Sequence, residues 1–477
     1  MGDHLWGCGS NPLVLLLAVW VAVSAHGCFA QAGAAAATSP LLMSALECEN
    51  MEEVLEHRIC KYHNLYLWEG KFYYVSNEKV ELPLVQNTYY RYHELWVSQS
   101  EIKPIVVAPA QLPFEWPPAE KVEVDEALLW FLRLAHNYGH MLGETAPTVH
   151  VLLCKQFGRC NFSRRALRGV RIFFTNTDNE PAEQHTSARD MWKCLAAELP
   201  LQITDASLKG KLVVMKSAST GIGPHCRAFK FCRDPWGRTT PPPKLMVSFK
   251  NRMTKCYDLP EHVAIPTDPP RMIIINRGYS LGRDIVNIDE LIDHIRSKYD
   301  VDAEVYRLKD VTVQQQARYY ARASIVMQVH GSAIGNLVFL PYNAVIIDVV
   351  PLSNADQFEW QRTIVEDFRP MNYGLITLPP QPTKFYARLL EHENDNPEMQ
   401  ALTPDQRQSM IESGVCPNEP QGLNEMCVNK WSLGWAAITI RIEDVDEALQ
   451  HAIELVQGAR QSGKHGKQRH RHAVPVT

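Results

Sequence analysis

A-S-I-V-M-Q-V-H-G-S-A-I-G-N-L-V-F-L-P-Y-N-A-V-I-I-D-V-V-P, residues Ala323–Pro351, is the stretch whose pattern decides the fold. The apolar run Ser324–Val329 reads as a buried strand and stops at His330-Gly331-Ser332. Apolar periodicity then predicts a helix from about Ser332 to Leu340, a turn at Tyr342-Asn343 and a second buried strand over Val345–Val350. That is one βαβ unit, the building block of parallel sheets. Its polar and small residues sit at the carboxyl end of the first strand. Ligands of open α/β sheets bind there, because backbone N–H groups and the helix dipole point at an anion. A tight turn alone would account for His330 and Gly331. A titratable imidazole is not needed for a turn, however, and Ser332, Ala333 and Gly335 leave room for a ligand to approach the backbone. Asp348, near the end of the second strand, is placed to accept hydrogen bonds from a ribose.

Upstream of this unit the pattern repeats. Arg271–Asn276 and Ala303–Arg307 read as strands. Asn287-x-x-Glu290 and Thr312-x-x-Gln315 read as capping-box starts of the helices Ile288–Tyr299 and 313–322. Strands alternating with helices of this length predict a doubly wound parallel sheet over residues 261–360. Arg277 and Arg283 follow the first of these strands, and two cations at a sheet's carboxyl edge suit a diphosphate better than bulk solvent.

The N-terminal half, 46–260, also reads as α/β. Short strands are expected at Lys71–Tyr74, Val106–Ala108, Val170–Thr175 and Leu212–Ser217, with a helix at Ala188–Ala197 between the last two. Asp125–Tyr138 reads as a helix with an acidic first turn and Val124, Leu128, Leu129 and Leu132 on its core face. It runs into H-N-Y-G-H-M-L-G-E-T-A-P, residues 136–147, where His140 and Glu144 fall one helical turn apart. A capped helix with a satisfied histidine would explain that spacing; an acid–base pair would too. Residues 227–260, with a Pro241-Pro242-Pro243 run, read as the connection between the halves.

At 477 residues, with 45% hydrophobic and 21% charged residues and a formal net charge of −5, the chain has room for two sizeable cores and no basic character that would call for nucleic acid. Pro12–Ala25 is apolar and leads to Cys28-Phe29-Ala30, so residues 1–30 read as a cleaved signal peptide, with a type II membrane anchor as the alternative. Ten of the 12 cysteines lie beyond residue 30, and an even number without a CxxC pair points to disulfides in an oxidising lumen. Sequential pairing is the simplest expectation. Asn161-Phe162-Ser163 is the N-glycosylation sequon. Residues 361–460 read as an extension closed by an amphipathic helix, Val445–Arg460, and 461–477 as a solvated basic, His-rich tail. A dinucleotide oxidoreductase would want G-x-G-x-x-G after a first strand; Gly221-Ile222-Gly223 lacks the third glycine.

These residues carry a resemblance. His330-Gly331-Ser332…Gly335-Asn336 is similar to the HGA-G-L-x-N signature of glycosyltransferase family 61, with Ser332, Ala333, Gly335 and Asp348 as departures. N-x-x-H-x-x-x-E at 137–144 resembles a second family motif, Arg277 and Arg283 a third, and Gln316 with Arg318 its E-Q-x-R element. Cys48 and the run from Arg58 to Leu65 resemble its N-terminal cysteine pattern. The resemblance implies a GT-B fold, two Rossmann-like domains facing a cleft. It implies inverting transfer of a sugar from a UDP-sugar to a polysaccharide or glycoprotein hydroxyl in the Golgi or endoplasmic reticulum. Arg277, Arg283, His330, Gly331, Ser332, Gly335, Asn336 and Asp348 would hold the donor. Glu144 or His140 would be the base, with Glu144 preferred. Arginines would meet the diphosphate charge, so no divalent metal and no tightly bound cofactor are expected. A lumenal pseudoenzyme that binds nucleotide sugars or glycans is the alternative, raised by the departures at Ser332, Ala333 and Gly335.

Overall fold

The computed structural model describes residues 40–52, 58–85, 102–132, 138–160, 169–175, 186–221, 243–259, 268–277, 284–309, 311–329, 331–349, 365, 369–378, 403–405 and 438–466. Two sheets organise them. The first holds β1 (Ala45–Glu49), β2 (Ile59–Trp68), β3 (Lys71–Val75), β4 (Ile105–Val107), β5 (Lys121–Trp130), β6 (Val170–Phe174), β7 (Leu201–Gln202) and β8 (Leu212–Gly221). Its order is β4-β3-β2-β8-β5-β6-β7, with β1 also on β2. Strands β8, β5, β6 and β7 are parallel, whereas β2 runs antiparallel to β1, β3 and β8. The N-terminal half is therefore mixed rather than purely doubly wound.

One expectation fails here. Residues 125–130 belong to β5, not to a helix. In K-V-E-V-D the charges at 121, 123 and 125 alternate with Val122 and Val124, a period of two, and the following A-L-L-W is buried throughout. Glu, Ala and Leu favour helix, but a slot between β8 and β6 buries both faces of this run, and that tertiary gain overrides propensity.

The helix starts at Tyr138. A short turn α1 (Tyr138–His140) passes through a π turn (Met141–Thr145) into α2 (Ala146–Phe157). Pro147 explains the widening: it has no N–H to give the carbonyl of Gly143, and its ring crowds that carbonyl. Then follow α3 (Thr186–Leu195) and α4 (Pro243–Cys256).

The second sheet holds β9 (Arg271–Ile275), β10 (Asp302–Tyr306), β11 (Ile325–Val329), β12 (Val345–Val349) and β13 (Gly374–Leu378), in the order β10-β9-β11-β12-β13 and wholly parallel. Every residue of β11 and β12 is buried, as strands covered on both faces must be. Helices α5 (Ile288–Lys298) and α6 (Val313–Tyr320) make the crossovers, and α7 (Ile442–Gly466) covers β11 to β13 with Val445, Leu449, Ala452 and Val456. Thr312 and Gln315 form the expected reciprocal capping box. Asn287 does not cap α5: its amide exchanges two hydrogen bonds with the backbone of Ile440, tying α5 to the strand-like segment before α7. His294 (2.7 Å), Tyr299 (2.8 Å) and Lys298 all bond Asp446 of α7. Burial alone would raise that carboxyl, but the hydrogen bonds from Lys298, His294 and Tyr299 outweigh it and bring it down to about 2.

Three disulfides lie among the described residues. Cys48–Cys60 and Cys154–Cys160 pair in sequence order. Cys194 does not: it joins Cys256, because the last turns of α3 and α4 lie side by side with Cα atoms 5.5 Å apart. Closing 62 residues is worth on the order of 4 kcal/mol in the chain-entropy model. The other cysteines after residue 30 fall outside the described residues, as does the N-terminal segment. No helix among the described residues is long and apolar enough to cross a membrane.

The two sheets share one hydrophobic core. Leu128 and Trp130 of β5, Leu142 of the π turn, Leu152 and Leu153 of α2 and Phe249 of α4 pack in the same cluster as Ile273, Val326, Ile334, Leu337 and Phe339. Each such fully buried side chain contributes roughly 1.5–3 kcal/mol. Lys250 of α4 is buried in this core, where its ammonium donates to the carbonyls of Val338 (2.9 Å) and Leu340. Burial pushes its pKa down to about 7. The unfolded chain keeps that proton up to about 10.4. Between those values the unfolded state binds more protons, so this group makes stability rise with pH, and its penalty is complete below about 7. The stability of the wild type relative to Lys250→Met, from urea unfolding at several pH values between 6 and 10, is expected to increase with pH; a flat difference would rule out the buried titration.

Candidate active site

The order β10-β9-β11-β12-β13 is 2-1-3-4-5 in chain order, so the chain reverses direction between β9 and β11. In an open parallel sheet the crevice at the carboxyl ends of those two strands is where ligands sit. Ile275 pairs with Gln328. Arg277 lies two residues beyond the first, and Gly331 three beyond the second. Sequence reading of the Arg277 motif and the 331–333 turn thus converges on one edge of the sheet.

Arg277 is half-buried, and desolvation lowers its guanidinium from the ordinary value. A cation held out of bulk water attracts an anion more strongly than a solvated one. Its position is set by Asn276, which sequence reasoning passed over. Asn276 is fully buried; its Oδ1 accepts from the Ile285 amide (3.0 Å) and its Nδ2 donates to the Ile285 carbonyl (3.3 Å). Ile285 in turn bridges Ile438, and the amides of Val286 and Ile438 complete a ladder to the segment before α7. The N-R dipeptide at a strand end was the available signal.

The signature segment divides in two. Gly331, Ser332 and Ala333 are half-buried and begin the turn. Gly331 is extended (φ 161°, ψ −165°), a conformation open to any residue. From Ile334 onward the chain is buried, and Ser332–Phe339 forms a 3₁₀ helix rather than the expected α-helix. Pro341 bars Leu340 from the α region, and Gly335, Asn336 and β-branched Val338 are weak α-formers. Eight residues is long for this geometry, and such stretches mark functional or strained places. Tyr373 donates to the carbonyls of Leu337 and Leu340 (both 3.0 Å), adding to the Lys250 clamp on its last turn.

Gly335 and Asn336, read from the sequence as donor contacts, face the protein. A Cβ on Gly335 would lie 3.1 Å from Leu142 Cβ, 3.3 Å from the Tyr138 carbonyl oxygen and 3.5 Å from Gly139 Cα. The glycine lets α1 and the π turn approach the segment closely. Asn336 is fully buried: its Oδ1 accepts from Tyr138 (2.7 Å), and its Nδ2 donates to Gln316 Oε1 (3.1 Å) and engages the Tyr320 hydroxyl. Gln316 is held by the carbonyls of Leu308 (3.3 Å) and Val311 (3.1 Å). Asp348 is also fully buried, beside Gln328 in the β11–β12 register, so the ribose contact expected of it is closed to a ligand in this arrangement. Gly221 has its own reason: at φ 112° its Cβ would lie 2.3 Å from the Arg58 carbonyl oxygen, where β8 closes on β2.

His140 ends α1 and Glu144 lies in the π turn, with the 3₁₀ segment packed against both elements. For these two residues only the backbone is described. His330, Arg283 and Asn161 lie outside the described residues. The fold therefore brings the backbone of the 140–144 motif beside the signature segment, and Arg277 to the sheet edge from which that segment starts.

The family model for Glycosyltransferase 61 matches residues 138–347, from the tyrosine that reaches Asn336 to the middle of β12. A β-1,2-xylosyltransferase of Oryza sativa subsp. japonica is 36% identical over 123 residues, 23% of this chain and 24% of the relative. An α-1,3-arabinosyltransferase of the same plant is 29% identical over 120 residues, 23% and 20% of the two chains. Human protein O-linked-mannose β-1,4-N-acetylglucosaminyltransferase 2 is 23% identical over 203 residues, 41% and 33%. The match spans a third or less of the length of each of these relatives. Gly335→Ala is expected to destabilise the protein by about 1–3 kcal/mol, the cost of overpacking, measured as a shift of the urea midpoint. An unchanged midpoint would mean that the two elements have slack.

Proposed function

We propose that the protein is an inverting glycosyltransferase of GT-B type acting in the secretory pathway, a reading that starts from the match of residues 138–347 to the Glycosyltransferase 61 family model. The donor is a UDP-sugar and the acceptor a hydroxyl of a glycan or glycoprotein. The observation that carries the reading is the coincidence of Arg277 and the turn at Gly331–Ala333 with the reversal point of the parallel sheet. The three disulfides support an oxidising compartment. The relatives' own names, a xylosyl-, an arabinosyl- and an N-acetylglucosaminyltransferase, support transfer and leave the donor sugar open.

In the proposed step the acceptor oxygen attacks the anomeric carbon from the face opposite the diphosphate. Its proton passes to Glu144, oriented by His140, and the bond from carbon to the diphosphate oxygen breaks. Charge grows on the departing diphosphate, and preorganised cations and N–H groups aimed at that charge lower the barrier. Arg277 and Arg283, His330 and the backbone of Gly331 and Ser332 are assigned to that work. Arginines meet phosphate bidentately, so a divalent metal is not needed in this scheme. A nucleotide-sugar binder without turnover draws on the departures at Ser332, Ala333 and Gly335. The tight packing of Gly335 against Gly139 and Leu142 gives that departure a structural ground and removes one of its supports.

The reading is tested first with a panel of UDP-sugars, followed by thermal stabilisation and by transfer or hydrolysis, since a ligand of the folded state raises the melting temperature. No stabilisation by UDP or any UDP-sugar would sink it. Arg277→Ala and Arg283→Ala should each weaken UDP binding by about 1.5–3 kcal/mol in calorimetry. Glu144→Gln should instead lower turnover by about 10²–10⁴ while UDP affinity stays within a few-fold, the mark of a group that acts in the transition state. Near-normal turnover in both Glu144→Gln and His140→Ala would end the base assignment, and loss of activity in EDTA would end the metal-free scheme.

A further inference from the structure

The contact between α1 and the 3₁₀ segment is more than packing. Tyr138 Oη donates to Asn336 Oδ1 at 2.7 Å; Asn336 Nδ2 donates to Gln316 Oε1 at 3.1 Å; Gln316 Nε2 donates to the carbonyls of Leu308 and Val311. The Asn336 amide also engages the Tyr320 hydroxyl, which donates to Gln328 Oε1 at 3.0 Å. Asn336, Tyr320 and Gln328 are all fully buried. The direction of each bond in the Tyr138–Asn336–Gln316 chain is determined, because a phenol in this core stays protonated and the carbonyls at the far end can only accept. Desolvation indeed raises the Tyr138 phenol well above its ordinary value, so its donor role does not titrate near neutrality.

We propose that Tyr138 is a positioning residue: through Asn336 it sets the separation between the π turn bearing His140 and Glu144 and the donor turn at 331–333. The inference rests on the functional reading above and adds to it a residue that touches neither reactant. Tyr138 lies two residues before His140, and Asn336 lies three after Ala333. One hydroxyl hydrogen bond thus ties the proposed acceptor side to the proposed donor side. Gly335 lets the two backbones approach, and Tyr138 fixes where they stop. Beyond it, the capping box of α6 and the carbonyls of Leu308 and Val311 anchor the chain to the second sheet. Without the hydroxyl, Asn336 Oδ1 is left buried without its donor, and the interface can slide at small cost in apolar contact. A misplacement near 1 Å of a reacting group is enough to cost about 10²-fold in rate.

The test compares Tyr138→Phe with Tyr66→Phe, which removes a hydroxyl bond of similar length to the Leu42 carbonyl in the first sheet, away from the site. Turnover, UDP affinity by calorimetry, melting temperature and amide hydrogen exchange are measured on the full chain. Tyr138→Phe is expected to lower kcat by roughly 10–100-fold, keep the UDP dissociation constant within about threefold, and speed exchange in peptides 138–146 and 331–340 together. Tyr66→Phe is expected to lower the melting temperature and leave kcat unchanged. Turnover within about twofold of wild type in Tyr138→Phe, or a loss of UDP affinity in step with kcat, would overturn the proposal. If the wild type transfers sugar from no nucleotide donor, the functional reading fails by itself. Hydrogen exchange then still decides the coupling: a joint rise supports it, and a rise confined to 138–146 overturns it.

Discussion

Where the π turn Met141–Thr145 meets the 3₁₀ segment Ser332–Phe339, two backbones pass with no side chain between them at Gly335, Gly139 and the Tyr138 carbonyl. The core that the two sheets share depends on that approach. It lets Leu142, Ile334 and Leu337 close into one cluster with Trp130 on one side and Ile273 and Val326 on the other, so the two sheets share a core. A methyl group at 335 would press on Leu142 Cβ and on the Tyr138 carbonyl oxygen, both fixed close to the backbone and slow to yield. The elements that approach so closely are also those that carry the His140/Glu144 motif and the start of the 331–333 turn.

An apolar contact alone would leave this crossing free to slide. Buried hydrogen bonds are directional and costly to leave unmade, so a buried polar network selects one arrangement from several that pack equally well. Asn336 takes that role here, with its carbonyl oxygen on Tyr138 and its amide hydrogens shared between Gln316 and Tyr320. Lys250 and Tyr373 act at the other end of the segment, where they bond the carbonyls of Leu337, Val338 and Leu340. A cation is the fitting partner for a helix carboxyl end.

The chain's far end contributes to the same edge of the sheet. Asn276 and Asn287 use their side-chain amides as substitutes for backbone, one holding Ile285 and the other Ile440. The segment around Ile438 therefore closes the base of the loop that begins at Arg277, and α7 is held in turn by Asp446 against His294, Lys298 and Tyr299. Residues more than 150 positions apart in sequence thus set the position of one candidate phosphate-binding arginine.

Periodicity by itself determined four of the five strands of the second sheet; β13 lies in the stretch read only as an extension. I-V-M-Q-V, V-I-I-D-V and M-I-I-I are short, β-branched and bounded by turn residues, which reads as strands buried on both faces, and Thr312 with Gln315 reads as a helix cap, because these signals are local. Local signals also located Arg277 and the 331–333 turn. Tertiary structure decided the rest. Glu, Ala and Leu in 125–130 favour helix until β6 and β8 flank them. Cys194 can choose among several partners until α3 and α4 bring Cys256 alongside. Gly331, Ser332, Gly335, Asn336 and Asp348 look alike as ligand contacts in one dimension; burial separates the half-buried Gly331 and Ser332 from the buried Gly335, Asn336 and Asp348. Strand period is a property of neighbours in the chain, whereas exposure and partner choice depend on residues that only the fold brings near.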